Sequence, residues 1–328
     1  MRRIYKRIVG NLNLLKQGNM SYQKIPKSYW RRYLSFIKYL SIKKSMNFLK
    51  SIFFWIIGKE FISSKPSFLK VEISRYCTVN CLYCFDKREE VFYPFDLYKT
   101  LIDELKEYLF LVSLYDIGEP LQNIDVIDYI KYARSNKVGT IISSSLSIVK
   151  EDRFWELLVT SGLDKIIVAI DGISDDVYNK YRRNGNLELV LSNLSKILIY
   201  KKEHKSKLIV EWQMLDLSWN KHEQESAKKI STQMGCNNFR LIKESCTQRL
   251  NYKKLNKIRN TNCILPYVIY IVTAYNKIRP CYKIYNEPMI IGDMENSSFN
   301  EIWNGNQIRE IRSHARIQKR NGCRTCIE

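Results

Sequence analysis

Histidine is nearly missing from this 328-residue chain, with only His204, His222 and His314 present. A metal site built chiefly on imidazole is thereby excluded, and any bound metal must rest mostly on thiolates. Acidic residues are missing from the opening stretch. Residues 1–70 set 16 Lys and Arg against the single acid Glu60, a balance of +15 within the formal net charge of +21. Long apolar runs are lacking as well: the stretch SIFFWIIG (51–58) has eight residues, whereas a bilayer span needs about 20. The opening MRRIYKRIVGNLNLLKQG is basic but has neither a long apolar core nor a small-residue cleavage site, so no secretory signal is expected. No internal repeat and no low-complexity linker interrupt the chain. These absences point to the reducing cytoplasm, with the chain either free or peripheral on the inner face of the membrane. There, nine cysteines signify metal ligation more readily than disulfides.

The remaining composition supports a folded protein: 45% hydrophobic and 12% aromatic residues are ample for a packed core. Three regions separate: a basic helical extension (1–65), a β-α array (66–250) and a short cysteine-bearing end (251–328). Within the first, residues 30–57 mix Lys and Arg with Phe, Leu, Ile and Trp at helical spacing. That pattern suits a helix on an anionic membrane surface, and equally a collar packed on the main domain with solvated lysines. Nucleic acid is not an expected partner, because no recognition motif accompanies the charge.

The second region alternates strand-like runs, at 68–74, 111–117, 138–144, 165–170, 208–215 and 238–243, with amphipathic helical patterns. Such alternation predicts parallel β-α units, and six units predict an α/β partial (β/α)6 barrel. In that architecture chemistry sits at the C-terminal ends of the strands. The third region predicts one helix, FNEIWNGNQIREIRSH (299–314), among strands and loops.

Directly after the first strand stands ISRYCTVNCLYCFD, placing Cys77, Cys81 and Cys84 in a C-x3-C-x2-C spacing. Three thiolates on one tight loop suit a cubane iron–sulfur cluster and leave one iron open. A structural zinc site is the alternative, but zinc wants a fourth ligand and no histidine is near in sequence.

This arrangement resembles the radical S-adenosylmethionine (SAM) superfamily, whose signature has an aromatic residue before the last cysteine, here Tyr83. The resemblance implies a [4Fe–4S] cluster on Cys77, Cys81 and Cys84 that binds SAM. YDIGEP (115–120) is similar to the family's Gly-Gly-Glu-Pro element, which implies that Gly118 and Glu119 hold the methionyl amino group. IISSSLS (141–147) stands where the family's next strand-end element falls, implying ribose contacts from Ser143 or Ser145. The longest likeness is 161–194, where Ala169 replaces the serine common in relatives and Arg182 becomes the candidate for the methionyl carboxylate. Gln213 stands where a later strand approaches the adenosine.

Cys263, Cys281, Cys323 and Cys326 lie in a segment that resembles the SPASM extension or its shorter relative, the twitch domain. Four thiolates imply one fully ligated auxiliary [4Fe–4S] cluster that passes electrons, with a four-cysteine zinc site as the alternative. Asn276 stands where that extension has a glycine, and asparagine tolerates the same left-handed backbone. Cys236 and Cys246 remain as inert thiols.

The family resemblance implies an enzyme that cleaves SAM reductively and abstracts hydrogen from its substrate, with flavodoxin or ferredoxin as electron donor. A sugar-like or lipid-linked small molecule is the expected substrate. Peptide modification is the alternative, weakened because no leader-binding module precedes Cys77. A non-catalytic iron–sulfur protein is the remote one. No catalytic acid or base stands out.

Overall fold

The computed structural model describes residues 37–84, 89–243, 263–281 and 289–315. Helix α1 (Ile42–Ile57) begins at Ser41, whose hydroxyl accepts the Lys44 N–H, and ends at Gly58 in left-handed geometry. The β-α array follows as β1 (Phe68–Val71), β2 (Asn80–Cys81), α2 (Phe95–Leu105), β3 (Leu111–Ser113), α3 (Val126–Ser135) and β4 (Gly139–Ser144). It continues through α4 (Asp152–Thr160), β5 (Lys165–Ala169), α5 (Asp175–Tyr181), β6 (Arg182–Arg183) and α6 (Leu187–Glu203). It closes with β7 (Ile209–Asp216), α7 (Gln224–Met234) and β8 (Asn238–Lys243). Beyond lie α8 (Leu265–Val268), β9 (Ile269–Val272), β10 (Lys277–Arg279), β11 (Gly292–Asp293), α9 (Phe299–Trp303) and α10 (Asn306–His314).

All six strand-like runs of the sequence form strands, paired in parallel in the order β1-β3-β4-β5-β7-β8. This is the partial (β/α)6 barrel. The sheet does not stop at β1, however. The C-terminal hairpin joins it, β9 pairing in parallel with β1, so the full order is β11-β10-β9-β1-β3-β4-β5-β7-β8.

Strand alternation sorts the side chains onto two faces. Leu69, Val71, Val112, Ile142, Ile166, Val168, Val210 and Trp212 pack under the helices in the main core. The opposite face begins with a small cluster, Phe110, Leu111, Ile141 and Ile167, packed with Tyr39, Phe48 and Phe68. Further along the same alternation this face carries Lys70, Glu72, Ser113, Ser143, Ala169, Glu211 and Gln213, while Lys165 stands on it at the start of β5. The interior of the barrel is thus aromatic at the N-terminal ends of the strands and polar above.

The segment before β1 closes that aromatic end. Phe48 meets Phe68 and Phe110 edge-on, with centroids 6.1 and 5.8 Å apart. Tyr39 donates to Asp164, just before β5, at 2.9 Å. Asn47 donates to Lys65 O at 2.9 Å, and the buried Lys44 ammonium donates to Lys137 O at 2.6 Å. Of the two readings left open for residues 30–57, packing on the domain therefore holds for α1, though Lys44 is buried rather than solvated. Burial lowers the Lys44 pKa from 10.5 to about 8, with Glu107 opposing and Lys137 assisting. Between those values the unfolded chain binds the extra proton, so stability rises with pH across the window; below it the cost is constant. Lys44→Met is expected to flatten that rise, read as thermal midpoints across pH 8 to 10.5. An unchanged slope would remove Lys44 as its source.

The helix predicted over 299–314 is in fact two. Ser298 and Glu301 form a reciprocal capping box for α9, and Asn304 leaves helical geometry. Gly305 is extended and caps α10; a Cβ there would lie 2.7 Å from Glu301 O. The break frees the Asn304 amide to pair with both backbone groups of Ile62, each at 3.0 Å. A local pattern in sequence could not show that tertiary partner.

Candidate cofactor-binding site

Cys77, Cys81 and Cys84 lie on the loop that leaves the C-terminal end of β1, all three half-buried. The Cys77 thiol approaches Val79 O at 3.6 Å, and Cys84 N–H donates to Cys81 O at 3.0 Å. The loop is tied across the barrel mouth: β2 pairs antiparallel with β6, setting Cys81 opposite Arg182. Leu82 N–H donates to Tyr181 O at 2.8 Å, and the Tyr83 ring meets Tyr181 edge-on at 5.8 Å.

Burial pushes the Cys77 thiol up to about 12, and Glu119, Cys81 and Cys84 add to it against the Val79 contact. The loop therefore disfavours bare thiolates and suits them beside iron, which must displace their protons. Among the described residues no three His, Cys, Asp or Glu side chains close on a single ion position. A cubane asks for something else, distributing its thiolates over separate irons.

Gly118 presses the next strand end onto this loop. A Cβ on it would stand 2.2 Å from Ser74 O and 2.6 Å from Arg75 C. The close approach lets Glu119 N–H donate to Tyr76 O, immediately before Cys77, at 2.9 Å. The buried Glu119 carboxylate accepts from Ser145 N–H at 2.8 Å, Ser145 Oγ at 2.9 Å and Leu121 N–H at 3.3 Å. Burial raises its pKa although those donors oppose the shift. A carboxylate keeps further lone pairs for an ammonium.

Of the serines at the end of β4, Ser145 is turned to Glu119, and Ser144 Oγ accepts Leu146 N–H at 2.9 Å. Ser143 lies on the interior face, half-buried. Leu146 is left-handed, φ 55°, and its carbonyl is held by Asn193 Nδ2 at 2.9 Å. This buried asparagine fixes the strand-end turn.

Arg182 Nε donates to Asp171 Oδ2 at 2.6 Å, and its NH1 reaches Cys81 Sγ at 3.4 Å. Burial opposes its charge, but Asp171 and then Cys81 more than offset the cost and hold its pKa above the usual guanidinium value. Asp171 is in turn fixed, accepting Leu215 N–H at 2.7 Å, while Asn220 Nδ2 donates to its carbonyl at 2.9 Å. Gln213 accepts from Arg240 on the neighbouring strand. The structure thus brings Cys77, Cys81, Cys84, Tyr83, Gly118, Glu119, Ser145 and Arg182 into one bonded constellation at the strand ends, with Ser143 and Gln213 on the interior face below.

Sequence reasoning missed the groups that orient this set, Asp171, Asn220 and Asn193, and the charged interior. Asp116, two residues before Gly118, pairs with Lys70 at 2.6 Å and with Arg279 of β10, bridging β1 to the C-terminal hairpin. Glu72 accepts from Arg75 at 3.1 Å and from Ala274 N–H at 3.0 Å. Glu211 pairs with Lys165 at 2.7 Å and Arg240 at 2.9 Å. The signal was present: Lys70 and Glu72, like Glu211 and Gln213, interrupt apolar strands at a two-residue period.

Of the C-terminal cysteines, Cys263 precedes β9 and Cys281 follows β10, so the two flank the open end of that hairpin. Cys323 and Cys326 lie outside the described residues, as does Cys246. Asn276 is left-handed, φ 59°, as its place in the hairpin turn requires, and accepts from Tyr93 at 3.1 Å. The Cys236 thiol packs against the core and is pushed up to about 11 by burial, Lys201 opposing.

Comparison with known proteins places this geometry. The family model for the Radical SAM superfamily matches residues 71–210, and that for SPASM, an iron–sulfur cluster-binding domain, matches 263–327. A probable GTP 3',8-cyclase from Methanococcus aeolicus is 28% identical over 135 residues, 39% of this chain and 44% of the relative. GTP 3',8-cyclase from Limosilactobacillus fermentum is 25% identical over 139 residues, 39% of this chain and 40% of that protein. The chain thus spans less than half the length of these relatives. Among solved structures, BtrN in complex with AdoMet and 2-DOIA is similar with a TM-score of 0.52 at 18% identity, covering 80% of this chain and 92% of BtrN. Streptococcus suis SuiB is similar with a TM-score of 0.55 at 15% identity, covering 90% of this chain and 79% of SuiB. These likenesses show the shared fold. The chain belongs to the radical SAM superfamily, carries a C-terminal SPASM domain, and has a [4Fe–4S] cluster, SAM and an auxiliary iron–sulfur cluster as its cofactors.

Proposed function

We propose that the chain is an enzyme that cleaves SAM reductively at a [4Fe–4S] cluster on Cys77, Cys81 and Cys84 and abstracts hydrogen from a small polar substrate. The observation that carries this reading is the bonded constellation at the strand ends, in which Arg182 touches Cys81 and Glu119 lies beside Cys77. When bound, cluster and SAM supply a one-electron cleavage whose adenosyl fragment takes a hydrogen atom from substrate.

The chain's own groups orient and shield. Arg182, preset by Asp171, offers its remaining N–H groups to a carboxylate. Glu119, preset by Ser145, accepts from an ammonium. Together they would fix the amino-acid end of SAM against the open iron. Ser143 and Gln213 line the interior on the path toward the adenosine. Substrate would lie deeper, among Lys70, Asp116, Arg279 and Glu211, where charged side chains suit a polar molecule such as a sugar, to be oxidised or rearranged. The relatives named GTP 3',8-cyclase act, by that name, on a small polar molecule. Cys263, Cys281, Cys323 and Cys326 would hold the auxiliary cluster, accepting an electron from the substrate radical, with a flavodoxin or ferredoxin supplying the first electron.

Reduced, reconstituted protein is expected to form 5′-deoxyadenosine from SAM. No product would leave a non-catalytic iron–sulfur role in its place. Arg182→Lys keeps the charge beside Asp171 but loses the planar fork, and Glu119→Gln keeps the shape but loses the charge. Each is expected to weaken SAM binding by roughly 1.5–3 kcal/mol, the range for charge-assisted hydrogen bonds, with iron content retained. Unchanged affinity in either variant removes that residue from the site.

A further inference from the structure

Helix α1 is built inside out. Its fully buried residues are Lys44, Asn47, Ser51 and Phe54, and the half-buried Phe48, Trp55 and Ile57 pack beside them on the core. Its outward face carries Ile42, Met46, Leu49, Phe53 and Ile56, exposed by 86, 61, 58, 50 and 41%. At 100° per residue these five fall within a stripe about 80° wide. Leu40 and Phe61, also exposed, extend it at both ends. An ordinary surface helix does the reverse, turning its apolar stripe to the core. The buried polar residues of this face are each satisfied: Lys44 by Lys137 O, Asn47 by Lys65 and Ser67, Ser51 by Asn47 O. The polar inner face therefore serves packing, and the outer face is shaped for something else.

Charge says what. Lys43 and Lys50 border the stripe on one side, and Lys59 follows its end, all three exposed. Lys43 pairs with Glu107 at 3.5 Å, and Glu60 follows Lys59 in the chain. No acid precedes Glu60, while residues 1–36 add nine Lys and Arg. Covering the stripe with that segment, or with a second copy of α1, would bring cation against cation. An anionic lipid surface supplies the opposite charge and an apolar boundary layer at once.

We propose that α1 is a membrane-docking helix. It lies flat on an anionic bilayer, with Ile42, Met46, Leu49, Phe53 and Ile56 in the boundary between headgroups and acyl chains and its lysines among the phosphates. Because α1 closes the N-terminal ends of the strands, docking puts that end on the lipid. The cysteine loop, at the opposite ends, then faces the aqueous side. This inference stands apart from the cofactor reading and survives its failure.

The test uses the full chain and sedimentation with vesicles of phosphatidylcholine alone or mixed with phosphatidylglycerol. Wild type is expected to bind the mixed vesicles and to release as salt is added. Leu49→Glu with Phe53→Glu should weaken binding about tenfold or more, and Lys43, Lys50 and Lys59 changed together to Glu about a hundredfold or more. Both sets of sites are exposed, so thermal midpoint and circular dichroism should not move. Equal binding to neutral vesicles, or Leu49→Glu/Phe53→Glu binding like wild type, overturns the proposal. So does a change of oligomeric state in that variant, which would make a second copy the occupant. A large drop in its thermal midpoint would make the chain's own first 36 residues the cover, and overturns it equally.

Discussion

Protein reconstituted anaerobically with Cys77, Cys81 and Cys84 all changed to alanine is expected to carry about half the iron of wild type and to form no 5′-deoxyadenosine. The cysteine loop leaves the sheet after β1 and is held by backbone bonds, through Leu82 to Tyr181 and through Tyr76 to Glu119. None of those bonds uses a thiol. The buried core of leucine, isoleucine, valine and tryptophan lies elsewhere. Fold and thermal midpoint should thus persist in the apo loop, apart from whatever stability the bound cluster itself contributes. The remaining iron would sit on the C-terminal cysteines. Iron content equal to wild type would move the first cluster off these residues. Continued SAM cleavage by the triple variant would overturn the site outright. Zinc in place of the residual iron would leave the first site standing and reassign only the second.

The six parallel strands were legible because each is a short apolar run between helical patterns. The strand-end elements were legible because their order along the chain is itself informative. What the chain pattern could not show was tertiary. The hairpin of β9 and β10 reads as a separate small unit, yet β9 pairs with β1 over Phe68 to Val71. Across that junction Asp116 grips Lys70 and Arg279 from two parts of the chain, which no local window contains. The same limit hid Asp171, a residue of an ordinary strand-end turn until Arg182 is placed against it. Helix α1 shows the limit most clearly. Its apolar positions have helical spacing in sequence, and hydrophobic burial would turn Ile42, Met46 and Phe53 inward. The structure turns them outward, because the space at the strand ends is taken by Tyr39 and Phe48 and by amide partners for Asn47.

Gly118→Val is expected to be as damaging as removing the cysteines, though Gly118 has no chemistry of its own. The three atoms nearest a Cβ at this position are Ser74 O, Arg75 C and Arg75 O, at 2.2, 2.6 and 2.7 Å, all backbone. A flexible side chain could swing away; a strand end anchored in the sheet cannot. Relief must come by withdrawing the Gly-Glu-Pro turn, which breaks the 2.9 Å bond from Glu119 N–H to Tyr76 O. Glu119 would then leave Ser145, a buried carboxylate would lose its donors, and Cys77 would lose the neighbour that sets its position. Overpacking of this kind costs about 3 kcal/mol, or roughly 6–12 °C in thermal midpoint for a domain of this size. Iron held by the Cys77 loop should fall and SAM cleavage should be lost, while iron on the C-terminal cysteines stays. Gly118→Ala should lie between the two, since one methyl already meets Ser74 O. A valine variant with wild-type midpoint and wild-type cleavage would mean that the two strand ends are not pressed together, and the arrangement of Glu119 beside Cys77 would fall with it.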